Sequence, residues 1–143
     1  MVEAFRPFEP VPGFEMTPLP VMHGEDLVCF GYSFQVGQTN IVYLSDISRM
    51  PEETQEYILR MLPPTDILVV DSLLMDQKHN THFSLKQALA LISKVRPRQT
   101  AYIVGMNCDA FPDHDVMNSQ LQSINIEGVP NVQLAHDGLV LGA

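Results

Sequence analysis

The sequence predicts an α/β fold in which helices flank a mixed β-sheet. Two apolar segments, 40–46 and 67–71, have the residue types of buried strands, and an aspartate ends each of them. A strand, helix and strand pattern over residues 66–104 is typical of two parallel strands joined by a right-handed crossover. The segments before residue 46 are separated by turn residues, which favours antiparallel pairing in the front third of the chain.

The front third contains the predicted antiparallel strands. Residues 1–13 are rich in proline and are predicted to be an extended lead-in. Residues 14–22 are predicted to form an edge strand because two prolines interrupt them. A strand over residues 27–34 follows, and a hairpin turn over 36–40 leads into the strand that ends at Asp46.

Helices and strands alternate in the rest of the chain. A proline followed by two glutamates begins a helix that ends before Pro63. Ser84 and Gln87 form a capping box for a second helix, whose apolar stripe indicates burial on one side. The remaining predicted elements are a strand over 100–104, a short helix over 113–123 and a terminal hairpin over 132–141. The whole chain, 1–143, is predicted to be a single domain.

Composition and charge exclude several classes of function. The chain has 45% hydrophobic and 17% charged residues, as expected of a globular domain. Its net charge is −9 and its eight Lys and Arg residues are scattered, so we expect no nucleic-acid partner. No segment has the apolar length of a membrane span, and we expect no membrane partner. Two distant cysteines, Cys29 and Cys108, and the lack of a signal-like N-terminus predict a cytoplasmic protein with free thiols.

Six short segments occur in an order that resembles the metallo-β-lactamase-fold hydrolases. They are residues 18–24, 30–32, 43–46, 70–71, 80–85 and 135–139. The branch that they resemble is typified by the cyclic ribosyl phosphate phosphodiesterase of phosphonate breakdown. This resemblance implies a four-layer αββα sandwich that hydrolyses its substrate with one or two transition metals, zinc or manganese.

The resemblance also implies roles for individual residues. His23 matches a metal ligand, and Asp46 matches the carboxylate that bridges two metals. His82 matches a catalytic histidine that contacts the phosphate or assists proton transfer. Cys108 stands where the family carries a histidine and can ligate zinc as a thiolate, whereas Gly105 replaces another histidine and offers no side-chain ligand.

Each of these residues also has a purely structural explanation. His23 is suited to end a strand before a glycine, and Asp46 is suited to accept hydrogen bonds in a turn or at a helix N-terminus. His82 is suited to pack beside the capping box, and Cys108 to be an ordinary small buried residue. Asp71 is predicted to orient a loop. The other histidines are predicted to lie at the surface or around the site: His79, His114 and His136.

One signature of the family is not found in this sequence. The His-x-His-x-Asp-His loop that supplies most of the family's metal ligands does not occur among the five histidines. The chain is therefore predicted to be the C-terminal half of a metallo-β-lactamase αββα sandwich, derived from a phosphodiesterase and inactive by itself. Two alternatives remain: a non-catalytic binding or structural subunit of the same fold, and a shortened gene product with no role of its own.

A half sandwich leaves one face of its sheet to be covered. The two sheets of a sandwich pack about 10 Å apart, and the strands over 41–45, 67–70 and 101–104 are apolar on both faces. An uncovered face of this kind is expected to be larger than the apolar patches usual for monomers. We expect it to be covered by a second copy in a homo-oligomer, by a separate N-terminal half, or by residues 1–16.

Overall fold

The computed structural model describes residues 1–142 and contains one seven-stranded sheet with three helices. The strands are β1 (Phe8–Val11), β2 (Phe14–His23), β3 (Leu27–Val36), β4 (Thr39–Leu44), β5 (Ile67–Asp71), β6 (Thr100–Val104) and β7 (Val132–Leu134). The helices are α1 (Glu52–Arg60), α2 (Leu85–Val95) and α3 (His114–Ser123). No helix among these residues is long and apolar enough to cross a membrane.

The sheet is mixed, and its strands follow one another in chain order from β1 to β7. The strands β1 to β4 pair antiparallel, whereas β4 to β7 pair parallel. One helix separates each pair of consecutive parallel strands, so the predicted crossover between β5 and β6 is confirmed. The carboxyl ends of β4, β5, β6 and β7 therefore meet at one edge of the sheet.

All three helices pack on one face of the sheet. Alternate strand residues such as Leu44, Val70 and Ile103 are fully buried there, in one cluster with the apolar side chains of the helices. Gly31 lies in the same row, and a Cβ atom at this position would come within 2.6 Å of a Leu44 methyl carbon. The absence of a side chain at Gly31 thus leaves the space that the buried Leu44 side chain occupies.

The opposite face of the sheet is apolar and carries none of the three helices. The strand registers place Tyr32, Tyr43, Val69 and Tyr102 side by side across β3 to β6. Tyr43 is 39% exposed, and the other three are half-buried. We call this surface the open face. The prediction that these strands are apolar on both faces is confirmed.

Three predictions about elements were wrong. The proline-rich lead-in contains strand β1, which pairs with the start of β2. Residues 14–23 are not an edge strand along their whole length, because β1 pairs with Phe14 and Met16, while the ladder with β3 continues through the two prolines. The terminal hairpin does not form, since β7 pairs in parallel with β6 and the described chain then turns at Gly138.

Candidate metal centre

Three side chains that could ligate a metal meet at the edge where the parallel strands end. His23 is the last residue of β2, and Asp46 lies two residues beyond the end of β4. His82 comes from the segment between β5 and α2. This segment is held in place by a hydrogen bond from the Leu73 amide to the Phe83 carbonyl oxygen (2.9 Å). Loops that gather at the carboxyl ends of parallel strands are the usual position of a site in an α/β sheet.

One potential ligand atom from each of the three residues lies within 4.8 Å of the other two. The rings of His23 and His82 meet edge to face, with their centroids 5.1 Å apart. The two histidines are half-buried, whereas Asp46 is exposed to solvent. We call these three residues the metal group.

The hydrogen bonds of the two histidines fix the tautomer that binds a metal. His23 Nδ1 lies 3.0 Å from the backbone carbonyl oxygen of Asp46, and His82 Nδ1 lies 2.6 Å from Oδ2 of Asp71. A carbonyl or carboxylate oxygen can only accept, so the proton of each ring is on Nδ1. In the neutral ring, each Nε2 then carries the lone pair that a histidine needs to ligate a metal.

Asp71 is a buried carboxylate that orients the His82 ring of the metal group. Its side chain is 5% exposed, and it contacts the ring of His82 through the 2.6 Å hydrogen bond. Gly105 approaches its other oxygen so closely that a Cβ atom at this position would lie 2.8 Å from Oδ1. The prediction that Asp71 orients a loop missed this direct contact with His82.

The loop that carries Asp46 is tied to the end of β2. Asp46 has φ +52, a left-handed conformation that aspartate adopts more readily than most residues. The Ser48 amide donates to the Met22 carbonyl oxygen (2.7 Å), and the Gly24 amide donates to Ser48 Oγ (2.9 Å). These bonds fix the position of Asp46 relative to His23.

The structure brings together three of the four predicted site residues. His23 and Asp46 lie together as expected of metal ligands, and His82, which was expected to be catalytic, joins them at ligand distance. Cys108 is exposed and does not belong to the metal group. Its predicted role as a ligand therefore gains no support from the positions of the described residues.

The donor atoms of the metal group suit a divalent transition metal. Two imidazole nitrogens and a carboxylate oxygen are the ligands that zinc takes in many catalytic sites, and manganese also accepts carboxylate. The hydrogen bonds from Nδ1 to Asp71 and to the Asp46 carbonyl are the outer contacts that orient such ligands. The three residues therefore fit the metal that the sequence comparison implied.

The fold and the metal group together define a protein of the metallo-β-lactamase fold with a candidate metal site. Residues 2–103 match the beta-lactamase superfamily domain, and the chain therefore belongs to that superfamily. A search of curated proteins gave no significant match.

Solved structures with the metallo-β-lactamase fold are similar to this chain. A diphosphatase of the PhnP family is 30% identical with a TM-score of 0.77, over 99% of this chain and 47% of that chain. The metallo-β-lactamase fold protein YhfI from Bacillus subtilis is 16% identical (TM-score 0.70; 96% of this chain, 52% of that chain). Zn²⁺-bound PqqB from Methylobacterium extorquens is 17% identical with a TM-score of 0.67, over 98% of this chain and 54% of that chain. The chain thus spans about half the length of these proteins.

Proposed function

We propose that this chain is the metal-binding half of a metal-dependent phosphoester hydrolase. The observation that carries the proposal is the meeting of His23, Asp46 and His82 with both Nε2 atoms free to bind a metal. The 30% identity to a diphosphatase supports phosphoryl compounds as the substrate class, and the resemblance of the sequence to phosphodiesterases favours phosphoesters among them.

The chain's own residues hold and orient the metal. A bound divalent metal supplies Lewis acidity to a phosphoryl oxygen and lowers the pKa of water. His23, His82 and Asp46 provide its ligands, and the Asp71 carboxylate keeps the proton of His82 on Nδ1. The exposed position of Asp46 leaves that carboxylate accessible from the solvent side.

We further propose that a second polypeptide unit completes the site and that this chain alone is inactive. Three protein ligands are enough for one zinc ion, but a two-metal centre for phosphoester hydrolysis needs a second set. The apolar open face lies on the other side of the sheet from the helices and offers a surface on which such a unit can pack. The unit is a separate N-terminal half with the His-x-His-x-Asp-His loop or a second copy of the chain.

Hydrolysis of bis(p-nitrophenyl) phosphate tests this function. We expect no turnover by the zinc-loaded chain alone. We expect turnover when it is coexpressed with the part of the PhnP-family diphosphatase that this chain does not match, because we expect that part to supply the remaining ligands. The same pair with His23→Ala should be at least 100-fold slower.

Two outcomes of this assay would contradict the proposal. Turnover by the zinc-loaded chain alone would contradict the proposal that a second unit is needed to complete the site. A copurifying pair that binds zinc without turnover would favour the alternative of a non-catalytic binding or structural subunit.

Cytoplasmic location remains our proposal, and it agrees with the two free cysteines, Cys29 and Cys108.

The open face predicts association of the chain with itself or binding of an apolar dye. Exposed apolar surface of this kind drives association in water, so sedimentation velocity should show dimers or larger species, or the monomer should bind the dye. Tyr43→Lys places a charge in the middle of the face and should reduce both effects. Tyr57→Lys, on the helix side, is the matched control and should not reduce them. A wild-type monomer that binds no dye would contradict coverage of this face by a second copy or by a separate N-terminal half.

A further inference from the structure

A cavity of about 430 Å³ lies between α1 and the strands β2 to β4, at the end of the sheet away from the metal group. Thr17 lines the cavity, whereas His23 of the metal group ends the same strand. A strand rises about 3.3 Å per residue, which places Thr17 and His23 about 20 Å apart. The volume of the cavity is in the range of about 300 to 1,000 Å³ that is usual for sites of small ligands.

Polar side chains face this cavity, although the same strands carry core residues nearer the metal group. Side chains alternate between the two faces of a strand, so Thr17 is on the same face of β2 as the fully buried Leu19. The strand registers pair Thr17 with Ser33 and Gln35 with Asn40. These four neutral residues therefore form one patch on the helix side of the sheet. We call it the polar patch.

Thr17 is the buried member of the polar patch, and its hydroxyl has no protein partner. The residue is only 8% exposed. None of the side-chain hydrogen bonds within residues 1–142 involves Thr17, Ser33 or Gln35. Every fully buried side-chain nitrogen or oxygen atom of these residues does have a partner, so the Thr17 hydroxyl must open on the cavity. A hydroxyl in such a place needs a water or a ligand to complete its hydrogen bonds.

The walls of the cavity are held in place by contacts of their own. The Tyr57 ring packs on Phe5 with the centroids 4.6 Å apart, and its hydroxyl donates to the Phe5 carbonyl oxygen (3.4 Å). The Phe5 amide in turn donates to the Pro18 carbonyl oxygen (2.9 Å). Asn40 Nδ2 donates to the Pro64 carbonyl oxygen (3.4 Å), which leaves Asn40 Oδ1 as an acceptor. The Tyr57 and Asn40 side chains are therefore oriented before a ligand arrives.

The chemistry of the lining favours a neutral ligand rich in hydroxyl groups. In the described part of the chain, the lining contains no Lys, Arg or His, and its one carboxylate, Glu15, is exposed. An exposed charge contributes little to an ion pair. The hydroxyls and amides of the polar patch both donate and accept, so they suit ligand groups that do the same. The rings of Tyr57 and Phe14 offer apolar surface to the carbon skeleton of such a ligand.

We propose that this cavity binds a neutral polyol of the size of a monosaccharide. The hydroxyls of Thr17 and Ser33 and the amides of Gln35 and Asn40 hydrogen-bond to its hydroxyl groups, and Tyr57 packs against its carbon skeleton. The site is separate from the metal group and does not depend on the proposed function.

Titration of D-glucose, D-galactose, D-mannose and myo-inositol into the chain tests the cavity by nuclear magnetic resonance. At least one of these polyols should give saturable shifts of the Thr17, Ser33 and Asn40 amides and no shift of the Gly24 amide beside the metal group. Thr17→Val keeps the shape of the side chain and removes the hydroxyl, so it should weaken binding about threefold or more. Thr100→Val removes a half-buried strand hydroxyl outside the cavity and should leave the affinity unchanged.

Three results would overturn the proposal: no saturable shift with any of the four polyols, unchanged affinity in folded Thr17→Val, or equal weakening by Thr17→Val and Thr100→Val. Saturable shifts with choline chloride and with none of the polyols would also overturn it, because they would assign the cavity to a cation. Zinc titration separates this proposal from the proposed function. His23→Ala should lose zinc and keep polyol binding, whereas Thr17→Val should bind zinc as the wild type does.

Discussion

Replacing Asp71 with alanine is expected to weaken zinc binding by about 10- to 100-fold, the usual cost of losing a carboxylate that orients a ligating histidine. The carboxylate is buried and bonds to Nδ1 of His82 at 2.6 Å. Without it the His82 ring can rotate and can carry its proton on Nε2, where the proton blocks the metal. A competition titration against a chromophoric zinc chelator measures the change.

Two further variants make the Asp71 prediction specific. Asp71→Asn keeps an oxygen that can accept from His82 Nδ1–H, so its zinc affinity should lie between those of the wild type and Asp71→Ala. Asp109→Ala removes a carboxylate near Cys108 that is not part of the metal group and should bind zinc as the wild type does. Wild-type affinity in folded Asp71→Ala would contradict the supporting role of Asp71.

Gly105→Ala is expected to destabilise the protein by about 2 kcal/mol or more and to lower its zinc affinity. Gly105 has φ +73, and alanine in this left-handed region costs about 1 to 2 kcal/mol. The added Cβ atom would also lie 2.8 Å from Asp71 Oδ1, so the carboxylate must shift and its bond to His82 must weaken. Urea unfolding and the zinc titration measure the two effects.

Gly138→Ala is the matched control for this prediction. Gly138 has φ +80, but a Cβ atom there would meet nothing within 4 Å. This variant should therefore show the conformational cost of about 1 kcal/mol and no loss of zinc affinity. Equal effects of the two alanines on zinc affinity would show that Gly105 makes no room for Asp71.

Much of the fold could be predicted because local patterns agree with the final structure. The apolar strand segments before Asp46 and Asp71, with the capping box at Ser84, predicted β4, β5 and the start of α2. The lead-in and the terminal hairpin were wrong for different reasons. Strand β1 pairs with the nearby Phe14 and Met16 although its segment is rich in proline, whereas β7 pairs with distant residues of β6, which local composition does not report.

The site could be predicted only in part, because its geometry comes from long-range contacts. His23 and Asp46 follow strand-like segments and were found from the sequence, but the hydrogen bond between Asp71 and His82 spans eleven positions of an irregular segment. Gly105 was seen as a missing ligand. Its structural role, as the space for the Asp71 carboxylate, follows only from a positive φ and a close contact that the sequence does not show.

The most direct test of the metal group is X-ray absorption at the zinc edge of the zinc-loaded chain, with elemental analysis of the same sample. We predict one zinc per chain with two imidazole nitrogens at about 2.0 to 2.1 Å, oxygen ligands and no sulfur. His23→Ala should lose the stoichiometric zinc. A sulfur ligand at about 2.3 Å, which would assign the metal to a cysteine such as Cys108, or no stoichiometric zinc, would contradict the account.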